Sequence, residues 1–538
     1  MRKGYGMEAT NAKTRIEIYD TTLRDGSQGE GISFSVEDKI RIARRLDEFG
    51  MDFIEGGWPG SNPKDVEFFE RMKRLPLKHA RLASFGSTRR AHVPPEEDTQ
   101  LHLLVEAGTP VVTIFGKTWV QHVLHALKTT LDENLRMIEE SVRFLKSRVE
   151  TVVYDAEHFF DGYRHDASYA LRTLSAALEA GADRIVLCDT NGGTLPHEIS
   201  EIVRHVCQVY PQVRIGIHTH NDAACGVANA LAAVREGVTH VQGTVNGFGE
   251  RCGNCDLLPV VAALRLKLGY DCLLPDSLAH LTGLSQYVDE IANLTPDTRR
   301  PYVGRSAFAH KGGVHADAVL KGASYEHVDP EAVGNSRRLI VSELAGSASM
   351  AGKAAEYGFD LHRRSPEARA LMKAVAEREH QGYSYEGAEG SFELLMMQTM
   401  GRFRQPFTLR GFRCIVEKRG HDAEPITEAT VKIEVDGREL LTVAEGDGPV
   451  HALDSALRKA LAECFPEVAR IRLTDFKVRV VNTREGTAAR VRVIINTTDG
   501  EQEWSTVGVS TNMIEASWHA LVDSVIYGLL RCEKRSQS

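Results

Sequence analysis

Two short segments hold residue types that can do chemistry together. One is Asp20-Thr21-Thr22-Leu23-Arg24-Asp25-Gly26-Ser27, directly after an apolar run near the N-terminus. The other is His218-Thr219-His220-Asn221-Asp222, after a second such run. In an extended chain, residues i and i+2 face the same side, so His218 and His220 can reach one ion. Asp25 offers a carboxylate, and Asn254, further on, a carbonyl oxygen. Nitrogen and oxygen donors without thiolate suit manganese, zinc or magnesium and do not choose among them. Such a set leaves positions open for water or a bidentate substrate. Alone, Asp25-Gly26 is a turn pattern and His-x-His recurs by chance. Their weight comes from where the chain places them, and the chemistry they point to is metal-assisted carbon–carbon bond formation or cleavage.

The elements that must position these residues alternate through the first half of the chain. Strand patterns are expected at 16–19, 53–56, 81–84, 111–115, 151–155, 184–189, 214–220 and 240–244. Amphipathic stretches lie between them, such as Val36, Ile40, Ala43, Leu46 and Phe49, which Ser35 and Asp38 start as a capping box. Eight strand–helix units within about 270 residues predict a (β/α)8 TIM barrel. A doubly wound sheet is the alternative, disfavoured because no glycine-rich dinucleotide loop follows the first strand. On a barrel, Arg24, Asp25, Glu157, Thr190, Asn191, His218, His220 and the stretch Glu250 to Asn254 all fall toward the carboxyl ends of strands, the face that carries active sites.

Three regions are expected: a catalytic TIM barrel over 1–273, helical linker subdomains over 274–399, and a C-terminal α+β domain over 400–538, which the family resemblance given below makes regulatory. The last region reads as two β-rich halves, each closing on a helix, after Gly446-Asp447-Gly448-Pro449 in the first case. It shows no catalytic constellation. The charged run from Arg363 to His380 reads as a solvated helix face.

Composition sets outer bounds. The chain has 538 residues, 42% hydrophobic and 26% charged, with a net charge of -9. These values belong to an ordinary soluble protein, and the small negative charge argues against a nucleic-acid-binding surface. No apolar run is long enough to span a bilayer, and the polar start lacks an apolar leader core, so a cytoplasmic protein without a membrane partner is expected. The nine cysteines are scattered and odd in number, which suits reduced thiols. Cys252-Gly253-Asn254-Cys255 has neither a second C-x-x-C nor a thioredoxin-like context, so it is not read as a zinc or redox site.

The long motifs carry a family resemblance. Asp20 to Gln28, His218 to Asp222, Asn246-Gly247-Phe248-Gly249-Glu250-Arg251-Cys252-Gly253-Asn254 and Gly312-Gly313-Val314-His315-Ala316-Asp317 resemble the DRE-TIM metallolyase superfamily. Within it they resemble the 2-isopropylmalate, homocitrate and citramalate synthases, and Gly446 to Val450 extends the likeness into the C-terminal region. Gly29-Glu30-Gly31 after Gln28 is most similar to the citramalate synthase branch. The resemblance implies an acyltransferase that condenses acetyl-CoA with a 2-oxo acid and then hydrolyses the CoA thioester. For that branch the 2-oxo acid is pyruvate, in isoleucine biosynthesis.

By the same likeness, Asp25, His218 and His220 hold the divalent metal, and Asn254 completes the set. Arg24 stabilises the developing alkoxide and Thr190 binds the substrate carboxylate; Gln28 and Tyr154 are further substrate-binding candidates. Glu157 and His315 are the two candidates for the base that deprotonates acetyl-CoA. Glu157 is favoured, and the segment bearing His315 in related enzymes reaches a neighbouring subunit's site. Tyr154 and Phe115, at strand ends, are candidate walls for the substrate's alkyl group, with a role as barrel-core side chains the equal alternative. The likeness also implies a homodimer and an end-product effector, isoleucine.

One departure stands out. Isopropylmalate synthases of this type carry a tyrosine after a Val-Gly pair, whereas Val333-Gly334 is followed here by Asn335-Ser336-Arg337-Arg338. The rival readings are a 2-isopropylmalate synthase acting on 2-oxoisovalerate, a lyase running the reverse cleavage, and a non-catalytic metal-containing amino-acid sensor. A sensor needs neither Arg24 nor Glu157, and lyases of the superfamily usually lack the C-terminal domain.

Overall fold

The computed structural model describes residues 14–310, 325–339, 354, 361–362, 365–385, 387–418, 420–421, 424–481 and 489–537. His315 and its motif lie outside the described residues. The chain divides into two compact units, Met1–Phe308 with Val328–Ser336, and Ala309–His327 with Arg337–Ser538.

The first unit is a closed parallel barrel. Its strands are β1 (Glu17–Asp20), β2 (Phe53–Gly57), β3 (Arg81–Ser87), β4 (Val111–Lys117), β5 (Thr151–Glu157), β6 (Arg184–Asp189), β7 (Ile215–Thr219) and β8 (His240–Gly243). Each pairs with the next, and β1 pairs with β8, which closes the sheet and excludes the doubly wound alternative. Strands buried on both faces need apolar residues on both. Tyr19, Phe53, Ala83, Val111, Val153, Val186 and Cys188 fill the lumen. Their sequence neighbours, among them Ile18, Ile54, Val112, Val152, Tyr154, Ile185 and Leu187, pack outward in the layer under the helices. The helix Val36–Phe49 starts on the expected Ser35–Asp38 capping box and stops at Gly50, whose φ of 91° terminates it.

The amino-terminal floor of the barrel is closed by charge. Arg184 donates from Nε and Nη2 to Glu17 at 2.7 and 2.6 Å, and His240 Nδ1 lies 3.3 Å from the same carboxylate. The guanidinium also sits over the Phe53 ring, 4.9 Å from its centre. Burial works against the Glu17 carboxylate, but Arg184 and His240 outweigh it and hold its pKa well below the usual range.

The second unit holds two three-stranded antiparallel sheets. Thr408–Glu417, Ile426–Val435 and Arg438–Gly446 form one, followed by the helix Pro449–Leu461. Arg472–Val480, Val491–Thr498 and Glu503–Ser510 form the other, followed by the helix Met513–Gln537. The duplication expected from the sequence is thus a strand–strand–strand–helix unit used twice. Ala429, Val431, Ile433 and Val435 meet Ala452, Leu453, Ala456 and Leu457 in one core, which also takes in Val493, Ile495, Trp518 and Leu521. Two strands had no clear signature in the sequence, Thr408–Glu417 and Glu503–Ser510. The first is largely exposed on both faces, so it carries no clean apolar alternation. No helix among the described residues is long and apolar enough to cross a membrane.

Removing one partner of the floor pair leaves the other charge buried alone, which typically costs about 3–5 kcal/mol. Glu17→Gln is therefore expected to lower unfolding free energy by about 3 kcal/mol at pH 7, read from urea melts. Because the folded-state pKa of Glu17 is depressed, wild type gains this stability above the unfolded value near pH 4.3 and loses it as pH falls toward the depressed value. The gap between wild type and variant should narrow below pH 4.3, and a gap that stays constant there would contradict the ion-pair account.

Candidate metal centre and active site

The opposite rim gathers the ligand candidates. Asp25 sits in the turn after β1, His218 lies inside β7, and His220 directly follows that strand. All three are buried, and one donor atom from each lies within 4.8 Å of the others. His218 Nε2 is 3.3 Å from Asp25 Oδ2 and 3.3 Å from His220 Nε2. His218 Nδ1 lies 2.8 Å from Gln242 Oε1, an acceptor, so the ring donates there and keeps Nε2 for the cluster. Gln242 is held in turn by donating from Nε2 to Asp155 Oδ1 at 3.1 Å.

The electrostatics suit a cation. Burial disfavours the Asp25 carboxylate, but Arg24 and His218 outweigh it, so the group stays ionised far below the usual range. Burial and the adjacent His218 push His220 down to about 3, leaving a neutral imidazole. His218 is raised despite its burial, because its Nε2 faces Asp25. The same Nε2 is the atom that would bind a divalent cation, which deprotonates the imidazoles it binds.

Asn254 comes to the same rim through the loop after β8. It pairs across the backbone with His220, and its Nδ2 donates to the Phe248 carbonyl at 3.1 Å. Its Oδ1 is buried without a hydrogen-bond partner, the kind of orphaned acceptor that a ligand or ion satisfies. The glycines of this loop are needed. Gly249 (φ 147°) lies against the Asn254 amide and Gly253 (φ 88°) against the Gly247 carbonyl, so a Cβ at either would collide.

Arg24 is locked rather than free. Its Nε donates to Glu55 Oε1 at 2.6 Å, and its guanidinium lies 3.7 Å over the Phe85 ring centre. Glu55, fully buried on β2, also accepts from Thr21 Oγ1 at 2.6 Å and from the Tyr19 hydroxyl. Phe85 stacks on Phe115 with ring centres 5.6 Å apart, and Trp58 meets both edge-on at 5.8 and 5.7 Å. Phe115 thus belongs to a cluster of aromatic rings of which Phe85 carries the Arg24 guanidinium.

Thr190, after β6, accepts from the His158 backbone N–H at 2.8 Å. Glu157 ends β5, and its Oε2 forms an ion pair with Lys117 Nζ. Gln28 is exposed, at the end of the short helix Gly26–Gln28 that follows Asp25.

Tyr154 requires a correction. It lies in the outer layer, its ring beside Gly116 and Ile138, and not in the pocket. Side chains of a strand alternate, and on β5 it is Val153, Asp155 and Glu157 that share the lumen face. Asp155 is there, buried, with its pKa pushed up to about 7 by desolvation.

The reading from sequence missed Glu55, Gln242, Asp155 and Lys117. A signal existed for two of them. Asp155 is two residues before Glu157 and Lys117 two after Phe115, so each shares a face with a residue already singled out. Nothing local marks Glu55 or Gln242, whose partners are far away in sequence.

A pocket of two imidazoles, one carboxylate and one orphaned amide oxygen fits a single divalent cation with positions left open. Outer partners that orient a ligating imidazole typically matter about 10–100-fold for metal affinity. Gln242→Leu is expected to weaken Mn²⁺ binding by about that factor, measured by titration followed by electron paramagnetic resonance, with Asp25→Ala binding none. Unchanged affinity in Gln242→Leu would show that the relay to His218 is incidental.

The sequence matches the HMGL-like family over residues 15–286 and the LeuA allosteric (dimerisation) domain over 386–529. Between them, 302–380 match the homocitrate synthase post-HMGL domain-like family. The chain is 52% identical to the (R)-citramalate synthase of Aquifex aeolicus (strain VF5), over 97% of its own length and 99% of that protein's. It is also 52% identical to the (R)-citramalate synthase of Geobacter sulfurreducens, over 96% and 98%. Identity falls to 31% with the 2-isopropylmalate synthase of Methylorubrum populi, over 96% and 95%. A likeness that runs through barrel, linker and C-terminal region alike settles membership: the chain belongs to the HMGL-like family and, within it, to the (R)-citramalate synthases.

Proposed function

We propose that the chain condenses acetyl-CoA with pyruvate and hydrolyses the CoA thioester, giving (R)-citramalate for isoleucine biosynthesis. The observation that carries this reading is the convergence of Asp25, His218 and His220 with Arg24 on one barrel rim. Asp25, His218 and His220 would hold a divalent cation, manganese, zinc or magnesium, with Asn254 as a further oxygen donor. Such an ion, when bound, polarises the keto carbonyl of a 2-oxo acid.

The chain's own residues divide the remaining work. Arg24, fixed by Glu55 and Phe85, presents positive charge where the keto oxygen becomes an alkoxide. Thr190 Oγ1 already accepts from His158, which leaves its hydroxyl proton to donate to the substrate carboxylate. Glu157 takes the proton from the acetyl methyl group, with His315 as its partner. Gln28 offers a polar contact at the mouth of the site. The wall of Trp58, Phe85 and Phe115 beside Arg24 supports a small alkyl group on the 2-oxo acid, a methyl rather than an isopropyl.

We read 1–273 as the catalytic region, 274–399 as linker and 400–538 as regulatory, with isoleucine as its effector, in a cytoplasmic homodimer. Apolar side chains left uncovered on the sheets support a self-association surface. Leu441 and Val443 on one strand, and Val478 and Val480 on another, are exposed at alternate positions and so share a face.

Release of CoA assayed with pyruvate and with 2-oxoisovalerate tests the reading. Pyruvate is expected to be favoured by about 10² in kcat/KM, within reach of a pocket that rejects extra methyl groups. Phe115→Ala is expected to narrow that preference about tenfold. Preference of the wild type for 2-oxoisovalerate would overturn the assignment, and no release with any 2-oxo acid would favour the sensor.

A further inference from the structure

The rim carries a charged group that the reaction above leaves unused. Lys117 ends β4 and Glu157 ends β5, as paired residues of adjacent parallel strands. Their side chains form an ion pair while each stays partly open to solvent, at 19% and 22% exposure. Lys117 Nζ also lies 5.4 Å from the Phe115 ring centre, so it stands between the aromatic wall and Glu157. The Lys117 carbonyl accepts from Asn134 Nδ2 at 2.8 Å, which anchors its backbone.

What surrounds the pair is built rather than incidental. His158, next after Glu157, adopts a left-handed conformation with φ 56°, a strained state for a side chain of this size. Its Nδ1 lies 3.3 Å from Asp161, which also accepts from Asn191 at 2.8 Å. The His122 ring packs 4.4 Å from His158, and Trp119 packs 4.7 Å from His122. His122 opens a π-helical turn, His122–Ala126, a form that recurs at functional sites. His122 Nδ1 and Trp119 Nε1 are both buried without a hydrogen-bond partner. Burial, then His158 and Lys117, hold His122 below its ordinary pKa. Two orphaned polar atoms thus lie near the carboxylate–ammonium pair, a setting suited to an uncharged polar group such as a thioester.

We propose that Lys117 is a catalytic residue of the enolisation step, its ammonium holding the acetyl thioester oxygen as negative charge builds there. This rests on the reading of Glu157 as the base. The step balances as follows. A methyl C–H bond breaks and its proton goes to the Glu157 carboxylate. The bonding pair forms the enolate C=C, and the thioester carbonyl pair moves onto oxygen. One negative charge leaves Glu157 as one appears on the thioester oxygen, and a cation touching both stays paired throughout. In the next step the enolate carbon bonds to the keto carbon, the thioester carbonyl re-forms, and the charge passes to the former keto oxygen beside Arg24.

The test separates enolisation from condensation. Exchange of the acetyl-CoA methyl protons in D₂O, with oxamate as an inert stand-in for pyruvate, is followed by mass spectrometry. Lys117→Met is expected to lose about 10²–10³-fold in exchange and in kcat, with KM for pyruvate changed less than about threefold. Lys117→Arg keeps the charge and is expected to retain at least about a tenth of both rates. Exchange by Lys117→Met within about threefold of wild type would overturn the proposal, as would an equal loss in Lys117→Arg, which points to a purely structural pair. A wild type that condenses a 2-oxo acid other than pyruvate overturns only the substrate reading. The lysine is then judged by the same variant ratios with that acid and its own inert analogue.

Discussion

Closure of the barrel is the constraint on which everything else depends. Asp25 follows the first strand and His218 lies in the seventh, and only the pairing of β1 with β8 brings their ends together. The register of that seam is explicit. Gln242 of β8 lies opposite Tyr19 on one side and His218 on the other, so a single row of the sheet carries the oriented imidazole and the residue that orients it. Parallel pairing keeps side chains in one row on one face, and a slip of one residue would turn Gln242 and His218 to opposite sides.

The rim then solves a charge problem. Asp25, Glu55 and Asp155 are buried and Arg24 nearly so, at a cost that each must recover locally. Arg24 lies between Glu55 and Asp25, the Asp25 carboxylate faces an imidazole, and Asp155 rests against the Gln242 amide. An arrangement so fully paired is preorganised, and this is how fixed charge lowers a barrier without reorganising during reaction. The pair that stays partly open to solvent is Lys117 with Glu157, to which our proposal gives the proton transfer.

The two ends of the barrel use similar chemistry to different ends. At the floor, Glu17 gathers Arg184 and His240 and so stitches β1, β6 and β8 together. At the rim, the carboxylate and imidazole types recur, but donor atoms point at one another and at unsatisfied neighbours such as Asn254 Oδ1.

Much of this was legible in the residues alone. Alternating apolar runs and capped amphipathic stretches dictate strands and helices locally, and eight such units in succession leave few topologies open. The long motifs identify the family because their glycines, histidines and acids are constrained together, as Gly249 and Gly253 beside Asn254 illustrate. What the residues could not reveal is which face a side chain takes and which distant partner it meets. Tyr154 reads as a pocket wall until the pleat turns it outward and presents Asp155 instead. Glu55 and Gln242 carry no local mark, because their roles exist only once strands remote in sequence lie side by side. Local pattern determines the elements, since propensity and periodicity act over a few residues. Register and closure determine the site, since they are set by packing across the whole barrel.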